Sequence, residues 1–181
     1  MPRLFMEPSV SISPLAQQHY AELVALSVTP SQLRYVGSMD MILSSVGFDV
    51  HPYVVLSHHN KGIECVIGFF LVDTRYGAQF HCAPLNALGL RAFFIDQRYQ
   101  HNGYARAVLR ILPAYLQKRY AQHESIYLTV HQEHKKAQAL YQHAGFVNCD
   151  VTYQNNNGDE LVVMKWPAVT EPLGANQERL S

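Results

Sequence analysis

Six residues in mid-chain, Gln100-His101-Asn102-Gly103-Tyr104-Ala105, have the make-up of a seat for phosphate. Backbone N–H groups at a helix N-terminus are unpaired and lie at the positive end of the helix dipole, so an anion can settle there without a charged side chain. Gly103 and Ala105 lack bulk, which lets a ligand approach the backbone closely. An ordinary strand–turn–helix junction could read the same way, so this chemistry needs support elsewhere in the chain. Ten histidines raise metal binding as a second option. Their closest groupings are His58-His59 and His131 with His134. Neither has a carboxylate or cysteine at a recognised zinc spacing, and no metal site is expected. Cys65, Cys82 and Cys149 are odd in number and widely spaced, so they form neither a zinc pattern nor a complete disulfide set. A P-loop is excluded, because no G-x-x-x-x-G-K-S/T occurs.

The elements around the phosphate seat follow from apolar spacing. Residues 90–95 are apolar apart from Arg91, as in a strand buried mid-sheet, with Leu90, Ala92 and Phe94 on one face and Phe93 and Ile95 on the other. The polar residues Asp96 to Asn102 end it. A helix from Gly103 to about Tyr120 is carried by Ala105, Val108, Leu109, Leu112 and Leu116. Pro113 should kink it at a cost of about 3 kcal/mol. Upstream, 10–12 reads as a short strand. A helical pattern follows in Leu15, Tyr20, Leu23, Val24 and Leu26. A second helix is capped by Thr29, Pro30 and Gln32 and interrupted at Gly37, as one bent helix or two short ones. A hairpin of 52–57 and 63–73 turns at His59-Asn60-Lys61-Gly62, with Gly68 marking a bulge or a close contact. Residues 75–88 read as a loop. Downstream come a strand at 124–130 and a helix through Ala137, Leu140, Tyr141 and Ala144, stopped by Gly145 with Phe146 packed back. A last hairpin turns on Asn155-Asn156-Asn157-Gly158. The order of strands and helices predicts a mixed α/β fold, one twisted sheet covered on both faces.

Composition bounds the function. At 181 residues the chain fits one domain, spanning residues 1–166, with a loose tail from 167 to 181. Net charge is zero, so no broad pull on nucleic acid or an anionic membrane is implied. No basic patch interleaved with aromatics is visible, which argues against a nucleic-acid partner. The longest apolar run, 65–72, is too short to span a bilayer, and the first nine residues do not read as a signal peptide. The cysteine usage fits a reducing cytoplasm. Low charge and eleven tyrosines suggest partly apolar surfaces, and the final hairpin is a candidate edge for a homodimer.

Two motifs in order resemble one family. Gln100 to Ala105 is similar to the Q/R-x-x-G-x-G/A pyrophosphate loop of the GNAT N-acetyltransferases. Tyr127-Leu128-Thr129-Val130 and then Ala137 to Phe146 resemble that family's L-x-V…N-x-x-A-x-x-L-Y-x-x-x-G-F segment. The likeness covers residues 63–166 and carries the element order of the GNAT fold, a mixed sheet of about seven strands. The family's usual asparagine is His134 here, which can still donate a hydrogen bond. Thr29 to Gln32 with Tyr35-Val36, and Ile95 to Gln100, resemble a bacterial branch that acetylates spermidine and spermine.

The resemblance implies acetyl transfer from acetyl-CoA, as cosubstrate, to a primary amine by direct attack in a ternary complex. Backbone N–H groups of Gln100, His101, Asn102, Gly103, Tyr104 and Ala105 would grip the pyrophosphate, with His134 nearby. Arg106 and Arg110 either add charge there or are ordinary surface residues. The strand before the loop splays in this family, so Phe93, Phe94 and Ile95 would face pantetheine, and one N–H can serve the oxyanion. Tyr141 matches the tyrosine that protonates the departing thiolate. A phenol with an ordinary pKa near 10 holds its proton at neutral pH and can give it to a thiolate. Tyr141 could instead simply pack on Phe146. No acidic residue within 90–95 offers a base, which leaves Glu64, Asp73, His81 or a water chain. Glu22, Asp40 and Asp49 are the acids available to attract a polycation. The rival class is a non-catalytic acyl-CoA-binding sensor, and other amine acceptors are peptide N-termini, amino acids and aminoglycosides.

Overall fold

Seven strands form one sheet in the order β1-β2-β3-β4-β5-β7-β6. A computed structural model of the chain describes residues 8–59 and 63–167. The strands are β1 (Val10–Pro14), β2 (Val50–His59), β3 (Ile63–Asp73), β4 (Ala87–Ile95), β5 (Ser125–His131), β6 (Val147–Gln154) and β7 (Glu160–Trp166). The helices are α1 (Tyr20–Leu23), α2 (Pro30–Val36), α3 (Met39–Ser44), α4 (Tyr76–Gln79), α5 (Tyr104–Arg119) and α6 (Lys135–His143). All pairings are antiparallel except β4 with β5. Parallel neighbours need a crossover, and α5 supplies it. The turn at 60–62, the first seven residues and residues 168–181 lie outside the described residues. Among the described residues no helix is long and apolar enough to cross a membrane.

Apolar residues cover both faces of the sheet. Leu109, Leu112 and Leu116 of α5 pack with Ile67, Phe70, Leu88 and Leu128 on one face, and Ala137, Leu140 and Tyr141 of α6 join them. On the other face Leu23, Leu26 and Ile42 from the region of α1 to α3 pack on Val54, Phe69 and Phe94. Pro113 does sit inside α5. Burying one leucine contributes about 1.5–3 kcal/mol, so three fully buried leucines hold the helix against the proline. The sequence pattern from Leu15 to Leu26 yields only a 3₁₀ turn and the single turn of α1, because Tyr20 and Val24 face solvent. Gly37, at φ 85°, splits the following region into the two short helices α2 and α3. The stretch 75–88 is not all loop, since it contains α4 and the start of β4.

The main departure from strict alternation is in β4. Between the pairs Phe69–Phe94 and Leu71–Arg91, β3 has one residue and β4 has two. Ala92 takes a positive φ of 51° at this bulge. The bulge inverts the face parity. Leu90 therefore packs on the α5 side with Phe93 and Ile95, while Ala92 and Phe94 face α1 to α3. A uniform strand would have put Leu90 and Phe94 on the same face. A second bulge lies beside it in β3, where Val55 pairs with Gly68 and Leu56 with Val66. Gly68 is also a close contact, since a Cβ there would come 2.7 Å from the Phe94 carbonyl oxygen.

Candidate active site

β4 and β5 stay together for only three residue pairs, Ala87–Gly89 with Ser125–Tyr127. Beyond Gly89 they part, while β5 stays paired along its other edge with β7 from Ile126 to His131. The edge of β4 that faces β5 is left open there, with the bulge at its centre. A cleft of about 230 Å³ fills the gap, walled by Leu90 to Phe93 of β4, Thr129 to His131 of β5, and Tyr141. A larger cavity of about 450 Å³ shares Phe93, His134, Ala137 and Tyr141 with this cleft and reaches the N-terminus of α5.

The floor of that cavity is the predicted phosphate seat. Gly103 caps α5 in the left-handed conformation, φ 81°, and the first intrahelical bond runs from Ala107 N–H to the Gly103 carbonyl. The N–H groups of Gly103 to Arg106 are thus the four that α5 leaves unpaired. Gln100, His101, Gly103, Tyr104, Ala105 and Arg106 all line the cavity. Asn102 does not. Its side-chain amide donates to the Tyr99 and Gln100 carbonyls at 3.3 and 2.9 Å, so it shapes the loop from outside. The Gln100 amide donates to the Ile95 carbonyl at 2.8 Å and to Gln32 Oε1 at 3.0 Å. It ties the end of β4 to α2.

The loop is anchored from beneath by Asp96, which is fully buried. Its carboxylate accepts from Ser27 N–H at 2.8 Å, Arg98 N–H at 2.9 Å and Arg98 Nε at 2.8 Å. Burial alone would raise its pKa, but these donors outweigh it and hold the carboxyl below the ordinary value.

Phe93, Phe94 and Ile95 also line the larger cavity. Tyr141 lies opposite, its ring 6.4 Å from that of Phe93. It both lines the cavities and packs edge-on against Phe146 at 5.6 Å. The helix end that holds it was legible in the sequence. Phe146 N–H donates to the Tyr141 carbonyl and Gly145 N–H to the Gln142 carbonyl, closing a Schellman motif with Gly145 at φ 100°. Burial raises the Tyr141 phenol above its ordinary pKa, so it remains a proton donor well above neutrality. His134 is the N-cap residue of α6, its ring stacked on Tyr35 of α2 at 4.3 Å. Burial first, then repulsion from the neighbouring His131, Arg34 and Lys136, lowers its pKa and favours the neutral ring.

The suggested bases and acids lie elsewhere. Asp73 accepts from Arg75 N–H at 2.9 Å and from Arg91 Nη1 at 3.1 Å, at the closed end of β3 and β4. Glu64 pairs with His58 at 3.3 Å, and His81 is exposed before β4. Glu22 Oε2 accepts the Val66 N–H at 2.8 Å, Asp49 pairs with Arg75 at 3.8 Å, and Asp40 is exposed on α3. None lines these cavities. The carboxylates near the cleft are instead Glu133, Asp159 and Glu160, which with Arg34 line a mouth of about 410 Å³. Tyr35 and His131 are common to mouth and cleft. No periodic signal marks this grouping in the chain, because Glu133 and Glu160 meet only when β5 pairs with β7. Gln32, which the sequence marks as a cap and as part of the polyamine-branch likeness, also lines the cavity, as does Lys136, which it does not single out. Among the described residues no three His, Cys, Asp or Glu side chains are grouped to hold a metal ion.

Known proteins are similar to this chain in sequence and in fold. The spermine/spermidine N(1)-acetyltransferase of Bacillus subtilis is 28% identical over 159 residues, 86% of this chain and 97% of its own length. The spermidine N-acetyltransferase of Vibrio cholerae, solved in complex with CoA and spermine, superposes with a TM-score of 0.62 at 18% identity, covering 86% of this chain and 94% of that one. The ribosomal-protein-S18-alanine N-acetyltransferase of Escherichia coli superposes at 0.60 with 20% identity, covering 94% of this chain and 100% of the other. Residues 36–146, which run from the end of α2 to the Schellman turn behind Tyr141, match the Acetyltransferase (GNAT) family. With more than half its length in that match, the chain belongs to the GNAT acetyltransferases.

Proposed function

We propose that this protein transfers the acetyl group of acetyl-CoA to a primary amine of a polyamine, by direct attack within a ternary complex. The observation that carries the reading is the line of three cavities sharing walls. One ends at the unpaired N–H groups of α5, the next opens the β4 edge at Phe93, and the last ends at three carboxylates against one guanidinium. A pyrophosphate fits the first, with Arg106 and Lys136 on its walls. A pantetheine chain fits along β4, where open backbone groups can pair with its amides. The thioester carbonyl then lies near Phe93, where a backbone N–H can receive the oxyanion. Tyr141 protonates the departing thiolate. The acidic mouth suits a cationic acceptor, and the B. subtilis relative acts on spermine and spermidine by its name.

The test is thiol release from acetyl-CoA against spermidine, spermine, diamines, free amino acids, aminoglycosides and peptide N-termini. Turnover on polyamines with little on the rest is expected. Turnover on peptides or aminoglycosides alone would discard the polyamine acceptor and keep the transferase. Tight acetyl-CoA binding with no thiol release on any amine would overturn the catalytic reading.

A further inference from the structure

An ammonium ion cannot attack a thioester until it loses a proton. No carboxylate lines the cleft or the cofactor-side cavity. The titratable side chains that line the cleft are Tyr35, Arg91, His131, His134 and Tyr141. Arg91 is a guanidinium paired with Asp73 and accepts no proton. Tyr35 is hydrogen-bonded to Arg34, and Tyr141 is held as a neutral donor by burial. Two imidazoles remain, and imidazole is the side-chain type that exchanges protons near neutrality.

Their surroundings separate them. His134 caps the N-terminus of α6, the positive end of that helix, with Lys135 and Lys136 in its first turn and Arg34 nearby. A new positive charge there is opposed from each side. Its ring also lies flat on Tyr35. His131 closes β5 at the narrowing between mouth and cleft, its ring edge-on to Tyr35 at 5.0 Å. It shares the mouth with Glu133, Asp159 and Glu160, which offset a cation, and with Arg34, which Glu133 pairs at 3.1 Å. Tyr141 and Arg91 face it across the cleft and His134 from the turn that follows.

We infer that His131 is the proton acceptor that prepares the attacking amine as it passes from the acidic mouth into the β4–β5 cleft. The inference rests on the acyl-transfer reading above. The ammonium gives one proton to a ring nitrogen of His131, forming imidazolium and a neutral amine. The amine lone pair forms the C–N bond at the thioester carbonyl, and the C–S bond breaks. Tyr141 gives its proton to the thiolate and regains one from the nitrogen of the new amide. The imidazolium releases its proton to solvent through the mouth.

The test measures kcat/KM against pH for the fastest amine of the panel, with wild type, His131→Gln, His131→Asn and His134→Gln, and acetyl-CoA affinity for each by calorimetry. Wild type should show an acidic limb in the neutral range. Both His131 variants should bind acetyl-CoA as wild type does and lose about 100-fold in kcat/KM at neutral pH. Their limb should shift upward, out of the neutral range, with activity climbing until the pH at which the free amine becomes abundant. His134→Gln should keep the limb. A limb that keeps its wild-type position in both His131 variants, or that moves only in His134→Gln, overturns the inference while wild-type turnover leaves the transferase standing. Absence of wild-type turnover overturns the transferase and this inference together.

Discussion

Tyr141 packs on Phe146 with the same ring that lines both cavities, so the structural and chemical readings of this residue are compatible. Tyr141→Phe keeps the packing and removes the proton donor. Turnover should fall about 100-fold, with KM for acetyl-CoA nearly unchanged, as steady-state kinetics would show. Asp96 offers the contrast of a residue whose role is purely to hold the loop. It was legible only as one of the polar residues ending β4, because Ser27, its partner, is 69 positions away. Asp96→Asn weakens charged hydrogen bonds inside the protein, and a loss of about 1–3 kcal/mol is expected in chemical denaturation. Its carboxyl is depressed on folding, so the stability it adds is complete above the ordinary carboxyl pKa near 4 and is lost as the pH falls through the folded value. Melting temperatures across that acidic range should therefore drop more steeply for wild type than for the variant.

At the scale of elements, the sequence was clear wherever a local rule decides. Gln32 Oε1 does accept the Thr29 N–H at 3.2 Å, as the capping box required. Gly145 ends α6 as its position promised, and Asn155 does organise the last turn, accepting from the N–H groups of Asn157 and Asp159 at 2.9 Å each. Gly145→Ala must hold a side chain at φ 100° and bring its Cβ 3.3 Å from Trp166 Nε1. A loss of about 1–2 kcal/mol should appear in urea denaturation. The rules failed where partners are remote. Nothing within residues 87–95 announces the bulge at Ala92, because it exists only as a mismatch in count against β3. The helix that the apolar pattern in 15–26 predicts shortens to a single turn, with Tyr20 and Val24 facing solvent.

At the scale of the molecule, zero net charge conceals an uneven distribution. Three of the fourteen acidic residues of the chain gather at one mouth. The acids expected to attract a polycation lie in the N-terminal helices and the loop after them, and two of those, Glu22 and Asp49, are engaged in hydrogen bonding and ion pairing instead. Glu160→Gln should raise KM for spermidine several-fold and flatten its dependence on salt, since screened attraction between exposed charges weakens as ionic strength rises. Initial rates from 0.05 to about 0.5 M chloride would check it, and an unchanged slope would remove the mouth from acceptor binding. The three-pair seam between β4 and β5 has one more consequence. The sheet's backbone ladder divides there into two panels, β1 to β4 and β5 to β7, joined by that seam and by the core beneath α5. A molecule lying along the opened edge would bond to one panel and pack against the other, and so act as a missing strand. Occupancy should then register as slowed deuterium uptake along residues 90–95.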